Sequence, residues 1–156
     1  MSHQPLEHRH GAYLISDDPA RLQIDAIHAY LGTLYWAMGI PRDVVERSLR
    51  NSLCIGVYDA TGAQVGLARF ITDYATFCYV CDVYVLDEHR GRGIAKAMLT
   101  MANDHPKLQG LRRWNLVTRD AHPLYAAIGF TPIAHPDRHM ERLIPNVYLR
   151  PDEEDE

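Results

Sequence analysis

The sequence predicts one α/β layer sandwich, and three observations carry that prediction. Its 156 residues are close to one domain's worth. The 47% hydrophobic and 23% charged fractions suit a globular core and exclude a disordered or collagen-like chain. The central stretch alternates strand, Gly loop, helix, strand, helix, strand. No repeat, low-complexity linker or composition break marks a second domain. Residues 1–150 therefore read as a single domain, and 151–156 as an acidic, frayed, disordered tail.

Residues 13–15 form a short first strand. Asp17, Asp18 and Pro19 supply helix-start chemistry. Ile24, Ile27, Leu31 and Leu34, three or four apart, then mark one helical face. Gly39 closes that region, and Pro41 opens a second helix with Val45 and Leu49 on its inner side. The linking segment, 35–40, is unusually apolar. Strands at 53–58 and 63–71 flank a Gly-containing turn, and a third runs over 76–86, rich in aromatic and β-branched residues. Ile94, Met98 and Met101 place a helix at 92–105, with Pro106 just beyond. A strand at 113–117, a short helix at 121–128 closed by Gly129, and strands at 130–133 and 139–144 complete the chain.

Net charge is −4, but five acidic residues crowd into 151–156, and the remaining body holds 16 basic and 15 acidic groups. Such balance offers no electrostatic footprint for nucleic acid. No apolar run approaches the ~20 residues of a membrane span. The polar, His-rich residues 1–11 lack the apolar core of a secretory signal. Cys54, Cys78 and Cys81 cannot all pair within one chain. Cys78 and Cys81 lie three apart in a strand, so their sulfurs point to opposite faces. Buried, reduced thiols and a cytoplasmic location are the expectation. The histidines show no ligand spacing, and no metal is expected.

Chemistry concentrates in residues 82–95, where a strand enters a loop with two glycines and a helix begins at once. Gly91 and Gly93 permit close backbone approach. The helix start presents unpaired N–H groups and a positive dipole end, beside Arg90, Arg92 and Lys96. The pattern predicts a phosphate or pyrophosphate site, against the plainer reading of a tight surface turn. A P-loop would need Gly-Lys-Ser/Thr where Gly93-Ile94-Ala95 stands. A Rossmann fingerprint wants three glycines near the first strand. Neither fits.

Arg90-Gly91-Arg92-Gly93-Ile94-Ala95 resembles the acyl-CoA signature of the GNAT superfamily of N-acetyltransferases. Leu124-Tyr125-Ala126-Ala127-Ile128-Gly129-Phe130 is similar to that superfamily's Leu-Tyr-x-x-x-Gly-Phe element, one helix and one strand downstream as expected. The resemblance implies a central mixed, mostly antiparallel sheet with helices on both faces, and often a homodimer. It implies acetyl-CoA as co-substrate and a small-molecule amine as acceptor, acylated directly. The alternatives are a protein N-terminus or lysine as acceptor, or a non-catalytic acyl-CoA-binding module.

By the same resemblance, backbone N–H groups from Arg90 through Ala95 hold the pyrophosphate, and the main chain of Val83 and Val85 holds the pantetheine arm. Many members carry Asn where Thr118 stands here, so that position is a departure. Tyr125 matches the tyrosine beside the CoA sulfur, and a phenol of pKa ~10 suits protonation of a leaving thiolate; the plainer reading is an inward-facing aromatic. An alkylamine of pKa ~10 must also lose a proton before attack. Asp82 is the first candidate base, or else a structural carboxylate paired with Arg69. His122 is the second, with Asp120, Asp73 and Glu88 behind. Tyr35, Trp36 and Met38 are expected to line the acceptor pocket.

Overall fold

The computed structural model describes residues 4–149, so the acidic end at 151–156 lies outside the described residues. They form a six-stranded sheet in sequence order: β1 (Glu7–His10), β2 (Tyr13–Ser16), β3 (Leu53–Tyr58), β4 (Gln64–Thr72), β5 (Phe77–Val85) and β6 (Arg113–Leu116). All neighbours are antiparallel except β5 and β6, which run parallel. The helices are α1 (Ile24–Leu31), α2 (Arg42–Arg50), α3 (Ile94–Asn103) and α4 (His122–Ala126). This is the expected mixed, mostly antiparallel sheet.

Apolar side chains leave both sheet faces, and each face acquires its own helices. Ile27 and Leu31 of α1 and Val45 and Leu49 of α2 pack with Cys54, Leu67 and Tyr84. On the opposite face, Met98, Leu99 and Ala102 of α3 join Ile55, Val57 and Phe70.

Two departures in the sheet position the site. Across β4 and β5, Leu67 faces Tyr84 but Arg69 faces Cys81, so Asp82 and Val83 oppose Ala68 alone. This β-bulge is built on Asp82 at φ +49°, a left-handed conformation rare outside glycine. Further, β6 pairs only with residues 77–80 of β5. Beyond Val80 the two parallel strands part, and the remainder of β5 has an open edge.

Several expectations need correction. Asp18 and Pro19 start a separate 3-10 turn, Pro19–Arg21, with the Ala20 N–H donating to Asp18 Oδ1 at 3.0 Å. Helix α1 starts after Gln23, which makes no side-chain cap bond, and stops at Leu31, short of Leu34. Strand β1 was not expected, because Glu-His-Arg-His shows no apolar alternation. Residues 130–133 and 139–144 form no strand; their pattern suits one, but no strand of this chain lies alongside them.

Candidate functional site

The parted strands open a cleft of about 320 Å³. Its walls are Val83, Tyr84 and Val85 of β5, the loop residues His89, Arg90, Gly91 and Gly93, the first turn of α3, and Leu124 and Tyr125 of α4, with Tyr30 and Ala121 completing them. Two sequence motifs more than thirty residues apart thus meet across one cavity.

Gly91 and Gly93 take φ of +77° and +74°, the backbone region that favours glycine. Gly93 is also the N-cap of α3. The next N–H groups have no intrahelical acceptor, since the first helical bond runs from the Ala97 N–H to the Gly93 carbonyl. Such groups can hold an anion, with the helix dipole behind them. Space, exposed donors and positive potential fit a pyrophosphate.

The arginines behave differently from one another. Arg90 Nε donates to the Val85 carbonyl at 2.9 Å, and Arg90 Nη1 meets Asp87 Oδ1 at 2.8 Å, so its guanidinium braces the loop. Arg92 is exposed and lies outside the cleft wall; its carbonyl accepts from His10 Nε2 at 2.6 Å. The Tyr13 hydroxyl meets His89 Nδ1 at 2.7 Å. The hairpin β1–β2 therefore grips the glycine loop at two points. No local sequence signal marks these contacts, which span 82 and 76 residues.

The open edge of β5 supplies backbone groups. The Leu86 N–H donates to the Val65 carbonyl at 2.8 Å, and Val85 faces Gly66. By antiparallel alternation, the Tyr84 main chain points at β4 and that of Val85 points away from it, toward the cleft. Val83, the next residue but one, shares that direction.

Tyr125 is buried against the cleft with its ring edge-on to Phe130, centroids 5.9 Å apart. Burial raises its phenol above the usual value, so at neutral pH it stays protonated and can donate. Tyr84 stacks on Tyr30 at 3.8 Å, which brings α1 to the mouth of the cleft. The sequence reading overlooked Tyr30, which sits beside the apolar stripe of its helix and acquires meaning only through that stack.

Other expected residues fall outside the cleft wall. Asp82 Oδ2 accepts from Arg69 Nε at 2.7 Å, both side chains mostly buried, while Arg69 Nη1 reaches the Ser52 hydroxyl. His122 is exposed at the start of α4, and the Thr118 hydroxyl accepts from the Ala121 N–H at 3.1 Å, shaping the turn into that helix. Tyr35 and Trp36 lie on the 3-10 turn Tyr35–Ala37, and they and Met38 are exposed, Tyr35 by 62%. The Arg119 guanidinium lies 5.1 Å from the Tyr35 ring centre and donates to its hydroxyl, tying this turn to the segment after β6.

Asp73 is a turn cap. Its carboxylate accepts from the N–H groups of Ala75, Thr76 and Phe77 and from the Thr76 hydroxyl, which hold it well below the usual carboxylate range. Glu88 and Asp120 are exposed. All three cysteines are free thiols; burial pushes Cys54 and Cys78 up to about 12 and Cys81 up to about 11. None supplies a thiolate at neutral pH. Among the described residues no group of three His, Cys, Asp or Glu is placed to hold a metal, and no helix is long and apolar enough to cross a membrane.

The model of the acetyltransferase (GNAT) domain family matches residues 50–132, more than half of the chain. This chain is a GNAT-family acetyltransferase. A Gibberella zeae protein provisionally named an acetyltransferase is 41% identical over 144 residues, covering 78% of this chain and 80% of that protein. A Xanthomonas campestris crystal structure, assigned to the same family, superposes with a TM-score of 0.84 at 49% identity, over 87% of this chain and 96% of that one. Glucosamine-6-phosphate N-acetyltransferase from Arabidopsis thaliana, 15% identical, has a TM-score of 0.63 over 85% of this chain and 99% of its own, a likeness of fold alone.

Proposed function

We propose that this GNAT protein transfers an acetyl group from acetyl-CoA directly to a primary amine on a small molecule. The observation that carries the reading is the convergence of the glycine loop, the open edge of β5 and Tyr125 on one cleft. Backbone N–H groups between Arg90 and Ala95 hold the pyrophosphate. The main chain of Val83 and Val85 aligns the pantetheine arm along the strand. Thr118 acts indirectly, by shaping the turn that delivers α4.

The acceptor enters from the side of Tyr35, Trp36 and Met38. Asp82 Oδ1 has no hydrogen-bond partner among the described residues, since Arg69 engages only Oδ2. That oxygen takes the proton from the ammonium, directly or through water. The amine nitrogen then forms the new N–C bond as the C–S bond breaks; the Tyr125 hydroxyl delivers a proton to the departing sulfur, and the proton the nitrogen sheds in becoming an amide restores the phenol through water. The products are an amide and the free thiol of CoA. His122, exposed on α4, is not required.

The test is thiol release from acetyl-CoA against polyamines, amino acids, aminoglycosides and peptides. Turnover on a small amine supports the reading. Turnover on peptides alone would transfer it to a protein acceptor. Tight CoA binding without turnover on any amine would leave a binding module.

A further inference from the structure

The two strands that part beyond Val80 of β5 and Leu116 of β6 carry opposite charges on their continuations. On β5 the next carboxylate is Asp82, whose Oδ1 has no hydrogen-bond partner among the described residues. Its partner Arg69 lies across from Cys54, so this pair belongs to the sheet face that α1 and α2 cover. Beyond β6 the first charged group is Arg119. It turns to the same side, since its Nη2 donates at 2.9 Å to the hydroxyl of Tyr35, on the turn between α1 and α2.

Arg119 is a cation that is held in place but not neutralised. The Thr118 hydroxyl accepts from the Ala121 N–H at 3.1 Å and fixes the turn on which it stands. Its guanidinium lies over the Tyr35 ring, 5.1 Å from the centroid, and Trp36 backs that ring edge-on with centroids 5.1 Å apart. Arg69 and Arg90 are each paired with a carboxylate. Among the described residues none pairs with Arg119, its exposed neighbour Asp120 included. The remaining donors of the fork have no acceptor there either. A guanidinium already immobilised in this way loses little further freedom on binding, and its fork matches two oxygens of a carboxylate or phosphate.

We infer that the acceptor is a dipolar small amine, carrying an anionic oxygen group, carboxylate or phosphate, beside the nitrogen that is acetylated. This rests on the acetyl transfer proposed above and narrows its substrate class. The ammonium end is drawn to Asp82 Oδ1 and the anionic end to the open donors of Arg119. A polyamine brings a second cation to a guanidinium that repels it, and a neutral amide leaves those donors to water. Arg119 is thus a specificity-determining residue, acting on acceptor binding.

Steady-state kinetics at saturating acetyl-CoA test this on charge-matched acceptors: amino acids, the same amino acids as amides, ethanolamine phosphate, and putrescine. The expected kcat/KM for an anionic amine is at least about 10-fold above that of its neutral counterpart, the scale of a charge-assisted hydrogen bond, and the difference lies in KM. Arg119→Gln should bring that ratio close to one, and Arg119→Glu should invert it in favour of putrescine. Arg119 is exposed, so neither variant alters the circular dichroism. The lower KM between carboxylate and phosphate acceptors identifies the anionic group, and either result supports the inference. Amides or putrescine turned over as efficiently as the anionic amines would overturn it, leaving acetyl transfer to a small amine intact. So would a preference that survives Arg119→Gln, since another cation would then read the charge. CoA binding without turnover on any amine would remove the acetyl-transfer reading itself, and this inference with it.

Discussion

Tyr125 carries the sharpest expectation at the scale of single residues. Its phenol is held protonated by burial, so its contribution is a proton delivered to sulfur. Tyr125→Phe keeps the ring against Phe130 and removes only that proton. The expected result is a fall in kcat of roughly 10²-fold or more with CoA affinity nearly unchanged; an unaltered rate would mean that water protonates the thiolate. Gly93 makes the opposite case. At φ +74° any side chain is strained, by roughly 1–2 kcal/mol, and Gly93→Val should abolish CoA binding in calorimetry while Tm falls by only roughly 2–8 °C. Both residues were legible in the sequence, because each belongs to a local motif whose chemistry depends on residue type at fixed spacing. Asp82 was only half legible. The strand pattern marks an ionisable group among apolar neighbours, but only the bulge, with its φ of +49°, sets that carboxylate against Arg69.

Elements were legible where their own residues determine them. Strands β3, β4 and β5 and helix α3 announce themselves by alternation or by helical spacing, and their positions shift by only a residue or two. Strand β1 was illegible because Glu7–His10 becomes a strand only through its pairing with β2. The reverse holds for 130–133 and 139–144, whose pattern promises strands that the single chain provides no partner to complete. The hidden strand β1 matters for the loop, since its His10 donates to the Arg92 carbonyl. One such bond contributes about 1 kcal/mol, so His10→Ala should weaken CoA binding about 3- to 10-fold with kcat at saturation preserved. Unchanged affinity would mean that the loop holds its shape without the hairpin. The turn between β4 and β5 is set by Asp73, whose carboxylate is held below its usual value. Its contribution is present above the unfolded value near 4 and is lost as pH falls toward the lower folded value. The difference in Tm between the native chain and Asp73→Ala should therefore be full at pH 6 and shrink below pH 4. A gap that stays constant down to pH 2 would contradict the capping role.

For the whole molecule, both ends of α3 are fastened to the same N-terminal hairpin. At its start, His10 holds the loop that caps the helix. Beyond its end stands His105, fully buried, with Nδ1 accepting from the Lys107 N–H at 3.1 Å and Nε2 therefore donating to Asp17 Oδ2 at 2.8 Å. Asp17 Oδ1 in turn accepts from the Leu6 N–H at 2.8 Å, and the Asp17 N–H donates to the Leu6 carbonyl, so one carboxylate joins the entry to β1, the exit from β2 and the far end of α3. None of this is written in local pattern, because Asp17 and His105 are 88 residues apart. Removing either member costs the other its buried hydrogen bond across this contact. Asp17→Ala should then cost about 3 kcal/mol, a fall in Tm of roughly 6–12 °C for a domain of this size. His105→Ala should cost a similar amount, and the double variant less than the sum, because the two share the Nε2–Oδ2 contact. Additive losses would show that the residues stabilise separate parts of the fold, and that the hairpin clamps α3 at its loop end alone.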